Sequence, residues 1–273
     1  MSYENIFRPL TVRNCTLENR IVMPSMGTLM ADADSFVTDA MIDYYVERAK
    51  GGAGLILMEC ASVLPENRPE HTPALSDDKY IPGLTRLVEA VHAVGGTIGI
   101  QLYEPAEGAM NGHTDVKKLK IMGPMERFHG RWPAVKTEEI PEIAAAFGRA
   151  AARADACGFD VIELHCGHNY LLHQFLSPHF NHRTDAYGGS LENCMRFPLL
   201  CVEEVRKNFS AEKPMFMRIV AFDDELCDAA GNFDGLTIDD MAEFCRRAGA
   251  LGVDVLDVSR GNFGKGNIYE VPA

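Results

Sequence analysis

The stretch HCGHNY, residues 165–170, places three side chains that can exchange or donate protons at the end of an apolar run. His165 and His168 lie three residues apart, and Tyr170 follows two residues later. Two imidazoles beyond the end of a strand can converge on one oxygen atom, and a phenol can act as a general acid. The spacing therefore indicates chemistry at an oxygen that gains negative charge.

Two other interpretations of these residues stay open from their types alone. The histidines can be satisfied loop residues, with Tyr170 as a packing residue, or they can be metal ligands, because His173, His179 and His182 follow closely. Catalytic zinc needs three well-spaced ligands and a general base, and the sequence has neither HExxH nor a CxxC pair. We therefore predict no metal site.

The elements that must position this stretch repeat one pattern, in which a helix ends at glycine and a short apolar run follows. The runs after the glycines are LILMEC, TIGIQL, FDVIELH and VDVLDVS, and two further runs are RIVMPSM and MFMRIV. Thr38 and Thr237 are predicted N-caps. Apolar runs without alternation are typical of parallel strands covered on both faces. The sequence predicts an α/β protein with six strands, which begin near residues 20, 54, 97, 159, 215 and 253.

A doubly wound sheet and a (β/α)₈ barrel both show this alternation of strands and helices. A doubly wound dinucleotide fold carries GxGxxG after its first strand, whereas GTLMADADSF stands at that place here. Polar residues instead end several of the apolar runs: Ser25, Glu59, Gln101, His165, Arg218 and Ser259. That end is the catalytic face of a barrel, so we predict a (β/α)₈ TIM barrel.

The amino-acid composition limits the classes of partner that the protein can bind. The formal charge of -13, from 26 basic and 39 acidic residues, argues against nucleic acid as a partner. No apolar run approaches the roughly 20 residues of a membrane helix, and the start MSYENIFRPL does not resemble a signal peptide. The eight cysteines form no CxxC pair, which predicts reduced thiols in a cytoplasmic protein.

The segment HCGHNYLLHQFLSPHFNHRTDAYGGSLENCMRF resembles the signature of the Old Yellow Enzyme flavin oxidoreductases. FRPLTVRNCTLENRIVMPSMGT, MRIVAFDD and DVLDVSRG also resemble this family in order and spacing, so the resemblance extends over essentially the whole chain. It implies an FMN-dependent barrel that uses NADH or NADPH to reduce the activated C=C bond of a small unsaturated carbonyl compound. Within the family, the sequence is most similar to the bacterial 2,4-dienoyl-CoA reductases and bile-acid-inducible steroid-CoA oxidoreductases.

The resemblance also implies roles for individual residues. His165 and His168 correspond to the pair that binds the substrate oxygen, and Tyr170 to the proton donor. Arg218 corresponds to the cation at the N1 and O2 edge of the flavin, and Gln101 to the residue at its pyrimidine side. The remaining residues expected against the isoalloxazine ring are Pro24, Ser25, Met26, Gly27 and Cys60. Arg218 can instead form a structural ion pair, and we interpret Cys60 as a small filler rather than a redox thiol.

The chain departs from the family pattern beside the expected pocket. QLYEPAEG stands where relatives often have QLxHxGR, so Glu104 and Glu107 replace basic side chains in an expected wall of the pocket. Gly27 stands where relatives often carry a side chain that tunes the flavin, and Cys194 interrupts the family's ENRxRF.

The number of strands is the largest departure. The resemblance implies that residues 1–273 form a single partial FMN-binding barrel, apparently truncated after about six strand–helix units. Strands 7 and 8, and the iron–sulfur and nucleotide-binding domains of longer relatives, are then absent, and an iron–sulfur cluster is expected only in a longer form. A fragment, a truncated gene product and an incomplete record all stay open. Function is therefore either that of an ene-reductase or that of a non-catalytic binding or assembly module, and open strand edges predict a homo-oligomer or self-association.

Overall fold

The computed structural model describes residues 3–106, 119–127, 129–223, 226–227 and 230–260. Its main sheet has six strands in the order β3-β4-β5-β6-β7-β8, and every neighbouring pair is parallel. These strands are β3 (Val22–Met23), β4 (Leu55–Ser62), β5 (Ile98–Tyr103), β6 (Val161–Cys166), β7 (Met215–Val220) and β8 (Val255–Ser259). The predicted six parallel strands are confirmed, each close to its expected start.

The six α-helices of the described residues are α1 (Asp39–Lys50), α2 (Ile81–His92), α3 (Ile140–Ala156), α4 (Leu171–Leu176), α5 (Leu191–Asn208) and α6 (Ile238–Ala250). Thr38 and Thr237 accept hydrogen bonds from the N–H groups of Met41 and Asp240, as predicted for N-caps. Left-handed glycines follow four helices: Gly52, Gly95, Gly158 and Gly252. None of the helices in this part of the chain has the length and apolar character needed to cross a bilayer.

The sheet curls strongly. In a flat sheet, β3 and β7 would lie four strand spacings apart, about 19 Å. Arg218 of β7 nevertheless donates from Nη1 to the carbonyl oxygen of Ser25, just after β3, at 3.2 Å. Curvature of this kind, with helices in the connections, is the architecture of a partial (β/α)₈ barrel.

The amino end of the curled sheet is closed by a hairpin that the sequence did not predict. Strands β1 (Leu10–Val12) and β2 (Cys15–Leu17) pair antiparallel. Leu17 of this hairpin packs in one buried cluster with inward side chains of β4, β6 and β7: Leu55, Leu57, Val161 and Phe216. Arg13, in the turn, donates to both carboxylate oxygens of Asp254 at 2.8 and 2.7 Å, which fixes the hairpin to the start of β8.

A β-bulge interrupts β4. Met58 pairs with Ile100, but the next pair is Cys60 with Gln101, so Glu59 is an extra residue without a partner in β5. Because of this insertion, Cys60 lies beside Gln101 on the inward face. Glu59 accepts hydrogen bonds from the backbone N–H of Thr28, at 2.9 Å, and from its hydroxyl, and so holds the loop after β3.

The two edges of the main sheet differ from its centre. Among the described residues, β3 and β8 each have one neighbouring strand, whereas β4 to β7 have two. Val258 and Leu256 on the outer face of β8 are 58% and 39% exposed, while β5 and β6 are buried throughout. Apolar surface therefore remains open at the edge strands.

Candidate active site

The carboxyl ends of the strands carry a layer of polar side chains that face the inside of the curl. Gln101 Nε2 donates to Glu163 Oε2 at 2.6 Å, which joins β5 to β6. Arg218 Nη1 lies 3.2 Å from Asp257 Oδ2, which joins β7 to β8. Arg218 thus forms the ion pair weighed as its alternative role, and it does so at the edge of the expected flavin site.

This polar layer is incompletely satisfied. Arg218 Nε and Glu163 Oε1 are buried without a hydrogen-bond partner among the described residues. Burial, followed by the negative charge of Asp257, raises the pKa of Glu163 to about 8. Since buried polar atoms are nearly always hydrogen-bonded, these two atoms indicate that a bound group completes the layer.

The segment that carries the two histidines and the tyrosine is a tight turn between β6 and α4. His168 and Asn169 have φ angles of 55° and 61°, which places two consecutive non-glycine residues in the left-handed region. The turn is closed by Tyr170 N–H, which donates to the oxygen of Gly167 at 3.2 Å. This turn brings His168 and Tyr170 back over the end of the sheet.

The two histidines contact each other directly. His165 Nδ1 accepts from Gly167 N–H at 3.3 Å, so the proton of a neutral His165 must lie on Nε2. His165 Nε2 lies 3.3 Å from His168 Nδ1, and His168 Nε2 lies 2.9 Å from Ser259 Oγ. One direction of donation, from His165 to His168 to Ser259, satisfies these three contacts. A bound carbonyl oxygen must therefore share or replace the contact between the imidazoles.

Both imidazoles are neutral at physiological pH. Burial lowers the pKa of His168 to about 3, with the Arg218 cation as the next cause. Burial, followed by the neighbouring His168, lowers the pKa of His165 well below its ordinary value. The pair can consequently donate hydrogen bonds to an oxyanion but cannot supply a positive charge.

Tyr170 lies beside this pair with its ring almost fully enclosed. It is 8% exposed, and its ring meets those of Tyr103 and His165 edge to face at centroid distances of 5.0 and 4.7 Å. Burial, followed by the neighbouring Cys60, raises the pKa of the Tyr170 phenol above its ordinary value. The phenol is protonated at neutral pH, as a proton donor requires, and its enclosure makes it a weaker acid than a free phenol.

Pro24, Ser25, Met26 and Gly27 follow β3 along one wall of the site. Met26 is 49% exposed, and a Cβ added to Gly27 would meet no atom within 4 Å. Cys60 faces the same space; burial of its thiol, followed by the charge of Glu59, raises the pKa of Cys60 to about 12. A protonated thiol is a weak nucleophile, which favours the filler role over redox chemistry.

These residues fit a flat flavin ring. An open wall at residues 24–27 offers room for the ring, and Arg218 offers a largely enclosed cation whose Nε has no partner among the described residues. A fixed cation favours the negative charge that reduced FMN carries at one edge. The sequence-predicted site residues are thus brought to one end of the sheet, although their individual roles stay predictions.

Glu104 lies behind the site rather than in its wall. It is 1% exposed, and Asn67 Nδ2 donates to its Oε1 at 2.5 Å. Burial raises the pKa of Glu104 well above its ordinary value, which disfavours a negative charge on this side chain. Its role is to join the loop after β4 to the end of β5. Glu107 lies outside the described residues.

Two of the histidines that follow the turn, His173 and His179, each contact a different aspartate. His173 Nε2 lies 2.9 Å from Asp223 Oδ1, and His179 Nδ1 lies 2.7 Å from Asp234 Oδ1. Within the described ranges, no group of three or more His, Cys, Asp and Glu side chains could hold a metal ion.

Sequence reasoning missed the roles of Glu163, Asp257, His173 and Asp223. Glu163 and Asp257 had a visible signal, since each is an acidic residue inside an apolar run, VIELH and VLDVS. An acidic residue buried in a sheet needs a specific partner, and that alone marks it as a candidate. His173 and Asp223 are distant in sequence, and no local pattern connects them.

Comparison with known proteins identifies relatives of this chain among flavin oxidoreductases. The model of the NADH:flavin oxidoreductase / NADH oxidase family matches residues 5–265. An NADH oxidase of Thermoanaerobacter brockii is 38% identical over 95% of this chain, and an NADPH dehydrogenase of Bacillus subtilis is 36% identical over 94%. The chain spans 39% of the length of the first relative and 73% of the second.

A solved structure of an Old Yellow Enzyme homologue from Zymomonas mobilis superimposes on 96% of this chain, with a TM-score of 0.82 and 26% identity. The chain covers 76% of that structure. The fold that the likeness implies, a partial (β/α)₈ barrel, is the one observed here. With the family match across nearly all of its length, the chain belongs to the NADH:flavin oxidoreductase / NADH oxidase family, among the Old Yellow Enzyme relatives.

Proposed function

We propose that this chain carries the substrate and flavin-ring site of an FMN-dependent ene-reductase that takes its electrons from NADH or NADPH. One observation carries the proposal: two neutral imidazoles and a protonated phenol lie together beside Arg218, whose Nε is buried without a hydrogen-bond partner among the described residues. The names of the relatives, an NADH oxidase and an NADPH dehydrogenase, support a nicotinamide donor.

Arg218, Gln101 and residues 24–27 would hold the flavin, with Cys60 against the ring. When bound, FMN supplies the hydride that adds to the β-carbon of the activated C=C bond. His165 then donates from Nε2 to the substrate carbonyl oxygen as charge develops there, and His168 donates from Nδ1 in the tautomer in which Ser259 Oγ donates to its Nε2. Tyr170 Oη delivers its proton to the α-carbon, and the enclosed position of its ring keeps water from competing.

The substrate class follows from the donors. Neutral imidazoles stabilise an oxygen that becomes negative during the reaction, so the substrate must place a carbonyl conjugated with the C=C bond at the pair. We propose an enone or an enoyl or dienoyl thioester, with steroid-CoA thioesters among the candidates. The closer similarity to 2,4-dienoyl-CoA reductases and steroid-CoA oxidoreductases stays a prediction.

The experiment follows the flavin spectrum. Purified chain incubated with FMN should retain yellow absorbance after gel filtration, bleach with NADH or NADPH without oxygen, and regain colour with 2-cyclohexenone. Arg218→Ala should bind FMN more weakly, whereas the matched change Arg13→Ala, at the opposite end of the sheet, should not. A chain that stays colourless with excess FMN would contradict the proposal.

The second candidate function is a non-catalytic binding or assembly module. The exposed apolar residues at the two edge strands, Ile21 and Val22 at β3 and Leu256 and Val258 at β8, favour it. Such a module would self-associate as concentration rises and would bind no flavin. Light scattering over a range of concentrations, alongside the FMN titration, separates the two functions.

A further inference from the structure

A buried histidine–aspartate pair lies directly behind the turn that carries His168 and Tyr170. The side chains of His173 and Asp223 are both fully buried, and His173 Nε2 lies 2.9 Å from Asp223 Oδ1. The other ring nitrogen, Nδ1, accepts a hydrogen bond from the backbone N–H of Asn169 at 3.1 Å. The pair therefore contacts the turn through its backbone, at the residue between His168 and Tyr170.

The turn needs such support because its backbone is strained. His168 and Asn169 both have left-handed φ angles, a region that residues other than glycine seldom occupy and that two consecutive residues keep only when contacts hold them there. Asn169 is 4% exposed, so solvent cannot readily satisfy its N–H group. The hydrogen bond to His173 Nδ1 satisfies that group only while Asn169 keeps this conformation.

Asp223 determines how His173 presents its acceptor. Because Nδ1 accepts from Asn169, the proton of a neutral His173 must lie on Nε2, the nitrogen that faces Asp223. Asp223 Oδ2 accepts from Ser177 Oγ at 2.6 Å and from Leu236 N–H at 3.0 Å. The carboxylate is thus held from two further segments.

Close packing adds to these bonds. A Cβ added to Gly235 would lie 2.4 Å from Asp223 Cβ, so the backbone before α6 presses directly on Asp223. Burial would raise the pKa of Asp223, but its contacts with His173, Ser177 and Leu236 N–H lower that pKa below its ordinary value. The ionised Asp223 carboxylate, 2.9 Å from Nε2, stabilises the Nε2–H tautomer of His173 through its charge, since the two atoms are not aligned as a hydrogen bond.

We infer that His173 and Asp223 are positioning residues: Asp223 fixes the tautomer and orientation of His173, and His173 holds Asn169 in the left-handed conformation that presents His168 and Tyr170. The roles of His168 and Tyr170 rest on the proposed function. The support of the turn does not, because it follows from the contacts alone.

Two substitutions of His173 test its two contacts one at a time, the hydrogen bond from Asn169 N–H and the contact with Asp223. In His173→Asn, an amide oxygen can stand near the place of Nδ1 and accept from Asn169, but the reach to Asp223 is lost. In His173→Gln, the amide can reach Asp223, but the acceptor near Asn169 is lost. If the His173–Asp223 pair only stabilised the fold in general, the two variants would destabilise the turn equally, or His173→Gln would destabilise it less.

Backbone hydrogen exchange of the full chain without flavin gives the readout. We expect exchange within residues 167–170 to become about tenfold faster in His173→Gln, the effect of losing one hydrogen bond worth about 1.4 kcal/mol. Exchange in His173→Asn should stay within about threefold of the unmodified chain. The control is His92→Gln, which alters a histidine–aspartate pair at the amino end of the sheet, with His92 Nε2 at 2.8 Å from Asp160, and should leave this turn unchanged.

Equal exchange at residues 167–170 in the two His173 variants would overturn the inference. If both variants unfold, Asp223→Asn provides the second test, with exchange at this turn expected to rise about threefold while β5 and α3 stay protected; no change there would also overturn it. Failure of the proposed function would appear elsewhere, as absent FMN binding by the unmodified chain. With FMN bound, His173→Gln should also weaken binding of a para-substituted phenol more than His173→Asn does.

Discussion

The two ends of the same parallel sheet are built on different principles. At the amino end, the inward side chains of β4, β6 and β7 are apolar and are closed by Leu17 from the hairpin. At the carboxyl end, the inward residues are polar, and Arg218 and Glu163 keep buried atoms without partners among the described residues. The amino end is thus completed by the chain itself, whereas the carboxyl end keeps polar atoms that the proposed flavin would satisfy. The amino end of the strands contributes apolar packing that stabilises the sheet, and the carboxyl end carries the candidate active site.

The largest expected effect comes from removing the Tyr170 hydroxyl at the carboxyl end of the sheet. Tyr170→Phe should slow reoxidation of reduced flavin by an enone about 10²–10⁴-fold, because a positioned general acid contributes that much. Flavin reduction by NADPH and the free energy of unfolding should change little, since the ring contacts with Tyr103 and His165 remain. Stopped-flow absorbance measures both half-reactions. Equal slowing of both would make Tyr170 a structural residue.

The complementary change is made at the amino end. Phe216→Ala should lower the free energy of unfolding by about 3–5 kcal/mol, because it opens a cavity in the cluster closed by Leu17. Folded protein should still bind FMN as the unmodified chain does. Urea denaturation followed by circular dichroism gives the first quantity and flavin fluorescence the second. A large loss of FMN affinity with unchanged stability would erase the difference between the ends.

Glu163 allows the polar layer to be tested by pH. Its pKa of about 8 lies above that of an unfolded glutamate, so the folded state holds this proton more tightly. The stability that results is fully present below about pH 4 and is lost as the pH rises toward 8. In Glu163→Gln this contribution disappears, and the fall in unfolding free energy between pH 5 and pH 8 should shrink by about 3–4 kcal/mol. Parallel pH profiles for both proteins would show that Glu163 is ionised in the folded state.

The smallest expected effect comes from the ion pair that fastens the hairpin. Arg13→Ala should cost about 1 kcal/mol of unfolding free energy, since its contacts with Asp254 and the oxygen of Ala211 are partly exposed. Flavin binding should not change. Thermal unfolding of the variant, with Lys50→Ala as a control for a fully exposed pair, provides the comparison. A loss as large as that of Phe216→Ala would mean that the hairpin, rather than the apolar cluster, closes this end.

Much of the fold could be predicted because its signals are local. Glycines after the helices, the threonine caps and the continuous apolar runs are written within a few residues of each other, and each took its expected place. The gathering of Gln101, His165 and Arg218 at one end also followed, because the carboxyl ends of parallel strands share one edge. The resemblance to a family then supplied candidate roles that residue types alone left open.

The features that escaped prediction depend on contacts between distant segments. The strands of the hairpin, LTV and CTL, are three residues each and have no distinctive pattern, so their pairing depends on packing beneath the sheet. His173 and Asp223 meet only because α4 and the loop after β7 lie side by side. The contact between His165 and His168 was also hidden, since spacing alone suggested two donors free to meet a ligand.

The bulge at Glu59 gives the site an independent point of adjustment. A residue in a regular strand serves its neighbours on both sides, so changing it disturbs the sheet as well as the surface. Glu59 has no partner in β5, while Cys60, Ala61 and Ser62 keep theirs in order. Glu59, a side chain outside the pairing pattern, consequently holds Thr28 at the end of the wall formed by residues 24–27, and substitution of Glu59 should reshape this loop while the strands retain their alignment.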